Sequence, residues 1–509
     1  MSSINISDDT GGTKAGTATK VGNYRWVICA LLFVCTTINY IDRNALGVLK
    51  PILEGELGWQ EVDYGWIVFA FVGAYAAFPS VAGIFIDKFG VKKSLAVALI
   101  VWSLAAAGHG LVGTVMGFVI MRFLLGMAEA ANFPASIKAV AMWFPQKERA
   151  LATGVFNSGT SLGVIAAPLT VVLAHEVGWQ WAFVIMGLAG FIWLYFWQRS
   201  FGSPESHPKV GAAELDYIRS GQPAAQESTK LPWSAMVRYR QIWPFLIGKF
   251  LTDPVWWFYL FWLPSYLSAE RGQNLLKSAG LMAVIYTGSS IGSIAGGWLS
   301  GYLIRRGWHV GKARMTTMLL AAIFMPGSII AYFTDNFVLC VALITLATAC
   351  HQAWSANLFT SATDLFPQRV SGSVVGLGAT AGGIGGMFIA LLAALAIQWT
   401  GKQQLVFIWA AFMHLISLAI FWFWFRGRFD PVNVDAGVDL HSRHTPLVTA
   451  GSIIALVGVT LAVSIGFNWE LCVSATSLSG AAQAVTAAVG VFLIGSGLLY
   501  AGLPKSRAA

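Results

Sequence analysis

FPQKERALATGVFNSGTSLG, residues 144–163, and FPQRVSGSVVGLGATAGGIG, residues 366–385, are two copies of one pattern. Without a gap, Phe144, Pro145, Gln146, Gly154 and Gly163 fall on Phe366, Pro367, Gln368, Gly376 and Gly385. Each copy is a basic loop that runs into an apolar, glycine-rich helix. An internal repeat of about two hundred residues in so hydrophobic a chain points to a transporter built from two similar halves.

Composition sets the solvent. Of 509 residues, 56% are hydrophobic and only 11% are charged, and the mean hydropathy is positive. Soluble domains carry about a quarter charged residues, so this chain belongs in a bilayer. Its 22 Trp and 33 Phe suit interfacial belts and apolar packing. The five cysteines (Cys29, Cys35, Cys340, Cys350, Cys472) have no metal-ligand or CxxC spacing and read as small packing residues. Residues 1–24 are rich in Ser, Thr and Gly, as expected of a disordered cytoplasmic tail.

Apolar stretches of about 20 residues span a hydrocarbon core as helices. They fall near 25–48, 61–86, 93–113, 115–139, 150–174 and 181–198, forming a first six-helix bundle over 25–198. A cytoplasmic central loop, 199–241, follows. A second bundle over 242–425 has spans near 242–268, 278–303, 314–333, 336–361, 370–396 and 405–425. A polar linker, 426–446, leads to an additional hairpin within 447–503 (spans 447–467 and 481–503) and a tail, 504–509. With the N-terminus inside, the inner loops collect Lys88, Lys92, Lys93, Lys147, Arg149, Arg305, Arg306, Lys312, Arg314 and Arg369. The outer loops hold only Lys50, Arg271, Lys277 and Lys402. The formal charge of +9 is thereby explained by membrane orientation, and no nucleic-acid partner is needed.

The loop GIFIDKFGVKKS (Gly83, Asp87, Gly90, Lys92, Lys93) has a weaker echo at GGWLSGYLIRRG (Gly297, Gly301, Arg305, Arg306). Its small residues let helices approach, and its charges can clamp one half against the other on the cytoplasmic side. On the duplicated halves, this loop motif and the long central loop, residues 25–425 resemble the major facilitator superfamily. The resemblance implies an all-α membrane fold of two pseudo-symmetric six-helix bundles, a binding site between them near mid-membrane, and rocking alternating access.

Within the spans the charges are few: Asp42, Arg43, Arg122, Glu129, Lys249 and Asp253. A charge at the bilayer centre costs several kcal/mol, so each is a functional candidate. Arg122 and Glu129, in MRFLLGMAEAANFP, are seven residues apart. That is about two turns, which puts both on one helix face roughly 10 Å apart. The arginine offers a planar fork for a carboxylate; a carboxyl in an apolar wall can exchange a proton. Asp42 and Arg43, in TINYIDRNALG, point about 100° apart on the first span. Arg43 is assigned to an anionic substrate and Asp42 to the proton, with Asn39, Tyr40 and Asn44 adding polar atoms for hydroxyls.

In the second half the repeat offset carries Glu129 onto His351, in HQAWSANLFTSATDLFP. His351 is a donor to a hydroxyl or carboxylate, or itself a titrating group, with Gln352, Trp354, Ser355 and Asn357 beside it. GKFLTDPVWWFYLFWLP supplies Lys249, Asp253 and an aromatic run in which Trp256, Trp257 and Tyr259 can stack on a sugar ring. Pro254 and Pro264 predict a broken helix there. His109, His175 and His414 have no companions at matching spacing and read as packing or interface residues. There is no Walker loop, HExxH, nucleophile elbow or paired-Cys zinc pattern. An enzyme is thus not expected, nor a metal or cofactor, and uphill transport needs an ion gradient.

The stretch RFLLGMAEAANFPASIKAVAMWFPQKERALATGVFNSGTSLGVIAAP (residues 122–168), DRN in the first span and HQAWSAN in the tenth resemble the anion:cation symporter family. Bacterial hexuronate transporters are the nearest likeness, and galactonate carriers are close by. The resemblance implies proton-coupled import of monocarboxylate sugars through the inner membrane by a monomer. It assigns substrate roles to Arg43, Arg122 and Tyr75 and a coupling role to Glu129. Asp42 matches the coupling acid of galactonate-type members, which some hexuronate members lack, so either carboxyl can be the carrier. The expected ring-hydroxyl partners are Tyr75, Asn157, His351 and Gln352. The expected function is proton symport of galacturonate or glucuronate. The alternatives are aldonates such as galactonate, another small organic anion, or a transporter-like sensor of sugar acids.

Overall fold

The computed structural model describes residues 21–220, 236–237, 239–272, 275–400, 403–425, 429 and 431–432. The additional hairpin (447–503), the tail 504–509, most of the linker 426–446, residues 1–20 of the N-terminal tail and Cys472 lie outside the described residues.

The first half runs α1 (Tyr24–Leu57), α2 (Glu61–Ala77), α3 (Pro79–Phe89), α4 (Val91–Gly108), α5 (Val115–Glu129), α6 (Asn132–Trp143), α7 (Gln146–Ala166), α8 (Leu169–Val177) and α9 (Trp179–Ser200). A short α10 (Ala212–Arg219) lies in the central loop. The second half runs α11 (Ile242–Ala269), α12 (Leu275–Arg305), α13 (Val310–Phe324), α14 (Gly327–Phe333), α15 (Phe337–Leu365), α16 (Gln368–Thr400) and α17 (Gln404–Phe425). Among the described residues, seven spans are long and apolar enough to cross a membrane. The bent pairs α2/α3 (47°) and α7/α8 (44°) bring that to nine. The expected spans at 242–268, 278–303 and 370–396 are occupied by α11, α12 and α16, helices of 28, 31 and 33 residues. At about 1.5 Å per residue each exceeds the roughly 30 Å hydrocarbon core.

Proline marks several of the breaks between helices. It lacks an N–H, and its ring crowds the carbonyl four residues back. The breaks at Phe78/Pro79, Ala167/Pro168 and Met325/Pro326 each carry one, and Pro134 sits in the first turn after the Ala130–Ala131 break between α5 and α6. Glu129 therefore closes α5 at a kink. The break expected from Pro254 and Pro264 does not occur, since α11 is continuous. Gly385 of α16 lies directly against the Phe250 carbonyl and the Pro254 ring, so a neighbouring backbone covers the site where the ladder is interrupted. α1 also runs past its expected end at 48 to Leu57, where Gly58 turns left-handed (φ 68°). Hydropathy marks where a helix leaves the membrane, and the polar turns beyond it are still helix.

The duplicated stretches form the seam between the halves. Gly154 of α7 presses on the Ser293 carbonyl of α12, and its repeat mate Gly376 of α16 presses on the Pro79 carbonyl of α3. Gly297 meets the Ala150 carbonyl just as Gly83 meets that of Gly372, the repeat mate of Ala150. In each case a Cβ would overlap the carbonyl oxygen. Glycine here sets how closely backbones of opposite halves approach. Gly297→Val is expected to disfavour this closed arrangement by about 1–3 kcal/mol, a typical overpacking cost. Spin-label distances between the loops at 144–148 and 305–309 would lengthen; an unchanged distance distribution would contradict the assignment.

The cysteines Cys29, Cys35, Cys340 and Cys350 are buried and unlinked. The central loop docks on the first half: buried Glu214 of α10 accepts from the Arg25 backbone N–H (3.1 Å), and Arg25 also pairs with Glu148 (2.9 Å).

Candidate functional site

A cavity lined by polar and aromatic side chains opens where the halves meet. From the first half it is lined by Tyr40, Tyr75, Phe133, Asn157 and Thr160. From the second come Lys249, Asp253, Trp256, Trp257, His351, Gln352, Ser355, Phe359, Ala379 and Gly383. The expected residues Tyr75, Asn157, Trp256, His351 and Gln352 thus share one wall-to-wall space. Asn157 crosses the seam, donating to Gln352 Oε1 (2.6 Å) and Ser293 Oγ (3.2 Å). The Trp256 ring stacks on His351, with centroids 5.7 Å apart and planes 11° apart. Tyr75 meets Trp257 edge-on across the seam at 6.0 Å.

Arg43, Arg122, Glu129, Asp42 and Asn39 do not line this cavity; they form a buried cluster in the first half. Arg43 pairs with Glu129 (Nη2–Oε2 and Nε–Oε2, each 3.0 Å) and donates to Asn39 Oδ1 (3.2 Å). Its guanidinium lies 4.4 Å from the Tyr40 ring centre and 4.1 Å from that of Tyr75. Two cavity tyrosines therefore cover it. Arg122 donates to the Arg43 carbonyl (3.0 Å) rather than to Glu129. The cluster is only partly satisfied: Asp42 Oδ2, Arg43 Nη1, Arg122 Nε, Glu129 Oε1 and Asn39 Nδ2 are buried without a hydrogen-bond partner among the described residues. Half-satisfied buried polar groups are costly, and they mark a place where a proton or ligand can change the pairing.

Sequence spacing paired Glu129 with Arg122 along one helix. The nearer cation comes instead from α1: Arg43 holds Glu129 at 3.0 Å, while Arg122 is turned to the Arg43 carbonyl. His414 was also missed as a partner: its Nε2 lies 3.1 Å from His351 Nδ1, so one ring must donate and the other accept. Trp354 is fully buried behind the cavity, donating to Thr252 Oγ1 (3.2 Å) and edging His414. His109 is packed, with Nδ1 2.7 Å from the Ala105 carbonyl.

The end of the bundle that carries the basic loops is closed by two clamps. Asp87 accepts from the Gly372 and Ser373 backbone N–H groups (3.1 and 2.7 Å), from Ser373 Oγ (2.6 Å) and from Lys138 (2.5 Å). Gly90 takes the left-handed φ of 82° that starts α4. Lys92 and Lys93 form no ion pair across the halves among the described residues; Lys93 is exposed. Asp364 holds two arginines, Arg149 of the first half (3.3 Å) and Arg314 of the second (3.1 Å). Arg314 also reaches across to the Gln146 carbonyl (3.0 Å) and Arg149 to that of Thr363 (3.1 Å). Both arginines counted as loop charges in the sequence, yet they are essentially unexposed. The acid two residues before the second Phe-Pro-Gln was the available signal.

Two helical bundles around a shared cavity, with one end clamped, are the layout of a multi-pass membrane transporter. Residues 32–390 match the Major Facilitator Superfamily, and the chain belongs to that family. It is 31% identical over 407 residues to the hexuronate transporter of Escherichia coli K12, covering 79% of this chain and 94% of that one. Over 401 residues it is 29% identical to a D-galactonate transporter of E. coli O6:H1 (75% and 92% covered). It is 33% identical over 342 residues to the galacturonate transporter of Dickeya chrysanthemi (65% and 98% covered). Among solved structures, the proton:xylose symporter XylE superposes with a TM-score of 0.62 at 12% identity, covering 78% of this chain and 95% of that one. The E. coli fucose:proton symporter FucP superposes with a TM-score of 0.58 at 17% identity, with 79% and 99% covered. These two share the fold.

Proposed function

We propose that this transporter imports hexuronates such as galacturonate or glucuronate by proton symport with alternating access. It would sit in the inner membrane with its N-terminus cytoplasmic. The observation that carries the reading is the Arg43–Glu129 pair, buried directly behind Tyr40 and Tyr75 of the cavity. With Glu129 ionised, Arg43 is held by its own counter-ion. Protonating Glu129 removes that charge and leaves Arg43 in need of an anion, which the sugar carboxylate supplies. Arg122, holding the Arg43 carbonyl, fixes the register of α1, and Asp42 is the second acid for a proton. Asn157, His351 and Gln352 meet ring hydroxyls, and Trp256 offers an apolar face to the sugar. The names of the similar chains agree with a sugar acid, and the galactonate transporter among them makes aldonates the second reading.

Uptake of a labelled panel into proteoliposomes, with and without an inward proton gradient, tests this. Glucuronate or galacturonate should accumulate on the gradient. Because hydrogen bonds to charged groups exceed neutral ones, their affinity should surpass that of glucose and galactose by about ten- to a hundred-fold. Equal uptake of glucose and glucuronate would remove the anion site from the account. Preference for galactonate over both hexuronates would select the second reading.

A further inference from the structure

Among the described residues, the cation that lines the cavity is neither arginine of the first half; it is Lys249 of α11. It is 3% exposed and pairs with Asp253, one turn on, at 2.6 Å, while its ammonium rests 3.7 Å from the centre of the Phe359 ring. Asp253 is the accessible member, with 18% of its side chain exposed. Gly382 of α16 lies directly against that carboxylate and leaves it room. The order of the pair runs lysine before acid, which is the weaker orientation for supporting a helix. Stabilising α11 is therefore a poor explanation for placing two charges at mid-bundle, where each is costly.

We propose that Lys249 and Asp253 form an anion-exchange pair: the substrate carboxylate displaces Asp253 from Lys249, and Asp253 takes up a proton as it is released. This rests on the sugar-acid reading above and adds a second proton-linked site in the other half, one that holds the single carboxylate at a different stage of the cycle from Arg43. The balance is simple. Asp253 carboxylate and one proton give the neutral acid, the Lys249 ammonium keeps its charge, and the incoming carboxylate becomes its counter-ion. No covalent bond changes, and the local charge is zero before and after. The ammonium has three donors and no directional fork, so it accepts a carboxylate in several poses.

The other groups around Asp253 leave this role to it. From α15 comes His351, with His414 of α17 behind it at 3.1 Å. From α12 comes Tyr286, edge-on to Trp256 at 5.6 Å. The first half contributes Tyr40 and Tyr75, and α16 contributes Ala379, Gly382 and Gly383, which carry no titrating group. Among the described residues that line the cavity, Lys249 is the only lysine or arginine and Asp253 the only carboxyl.

Calorimetry of the full chain in detergent, titrated with D-glucuronate in two buffers of different ionisation heat, reads affinity and proton uptake together. Asp253→Asn should bind more tightly than wild type above neutrality and take up one proton fewer per ligand. Lys249→Gln should lose affinity by about tenfold or more, the weight of a charge-assisted contact. The double variant leaves no unpaired charge, so it serves if either single variant fails to fold. It should show both the lost affinity and the missing proton. Wild-type proton uptake by Asp253→Asn, wild-type affinity in Lys249→Gln, or wild-type behaviour of the double variant overturns the exchange pair while leaving the sugar-acid reading standing. A wild-type protein that binds no sugar acid overturns both.

Discussion

Asp364→Ala is expected to release the clamped end of the bundle. Asp364 is the shared anion of Arg149 and Arg314, at 3.3 and 3.1 Å, and neither arginine has a way to water in the closed arrangement. Removing one partner of a buried ion pair costs about 3–5 kcal/mol, most of it from the charge left behind. Here two like charges would be left facing each other. The arrangement can escape by opening, which hydrates both guanidinium groups. The closed population should therefore fall by about two to four powers of ten. Spin-label distances across the loops at 144–148 and 305–309 would shift to a longer population, and transport would drop with it. A variant with wild-type distances and wild-type melting would show that Asp364 is not the tie between the halves. Asp364→Asn should fall between, since the amide still accepts a hydrogen bond but carries no charge.

Glu129→Gln is expected to abolish accumulation on a proton gradient while leaving counterflow exchange measurable. The amide keeps the size and an acceptor for Arg43, and it imitates the protonated acid, so the anion site stays open. It carries no proton across, so substrate can only equilibrate. Glu129→Ala is a harsher change, costing about 3–5 kcal/mol because Arg43 loses its counter-ion in a fully buried place. Accumulation of glucuronate by folded Glu129→Gln protein would pass the coupling role to Asp42, with Asp42→Asn the next measurement.

The repeat made much of the architecture legible. Phe144–Gln146 and Phe366–Gln368 announced equivalent loop-to-helix junctions, and the structure puts Gly154 and Gly376 on equivalent carbonyls. Buried charges were also legible, because Asp42, Arg43, Arg122, Glu129, Lys249 and Asp253 interrupt apolar runs. Their partners were not. Spacing along one helix reports which residues share a face, whereas Glu129 meets Arg43 across 86 positions of sequence. His414 looked solitary for the same reason, since His351 is 63 positions away. Arg149 and Arg314 were hidden differently. A positive-inside count treats every basic loop residue alike, so it cannot separate a solvated charge from one tied to Asp364.

The six mid-bundle charges are distributed with a consequence for electrical behaviour. Asp42, Arg43, Arg122 and Glu129 all belong to the first half, and Lys249 and Asp253 to the second, so each half is formally neutral by itself. Among the described residues, the polar contacts that cross the seam at this depth are neutral, as in Asn157 to Gln352, Ser161 to Ser289 at 2.8 Å, and Ser80 to Thr380 at 2.8 Å. When one half tilts against the other, no ion pair among the described residues at this depth is pulled apart, and no unmatched charge among them is swept through the field. The unloaded protein's return stroke should thus be nearly insensitive to membrane voltage, and the current of a transport cycle should come from what is carried.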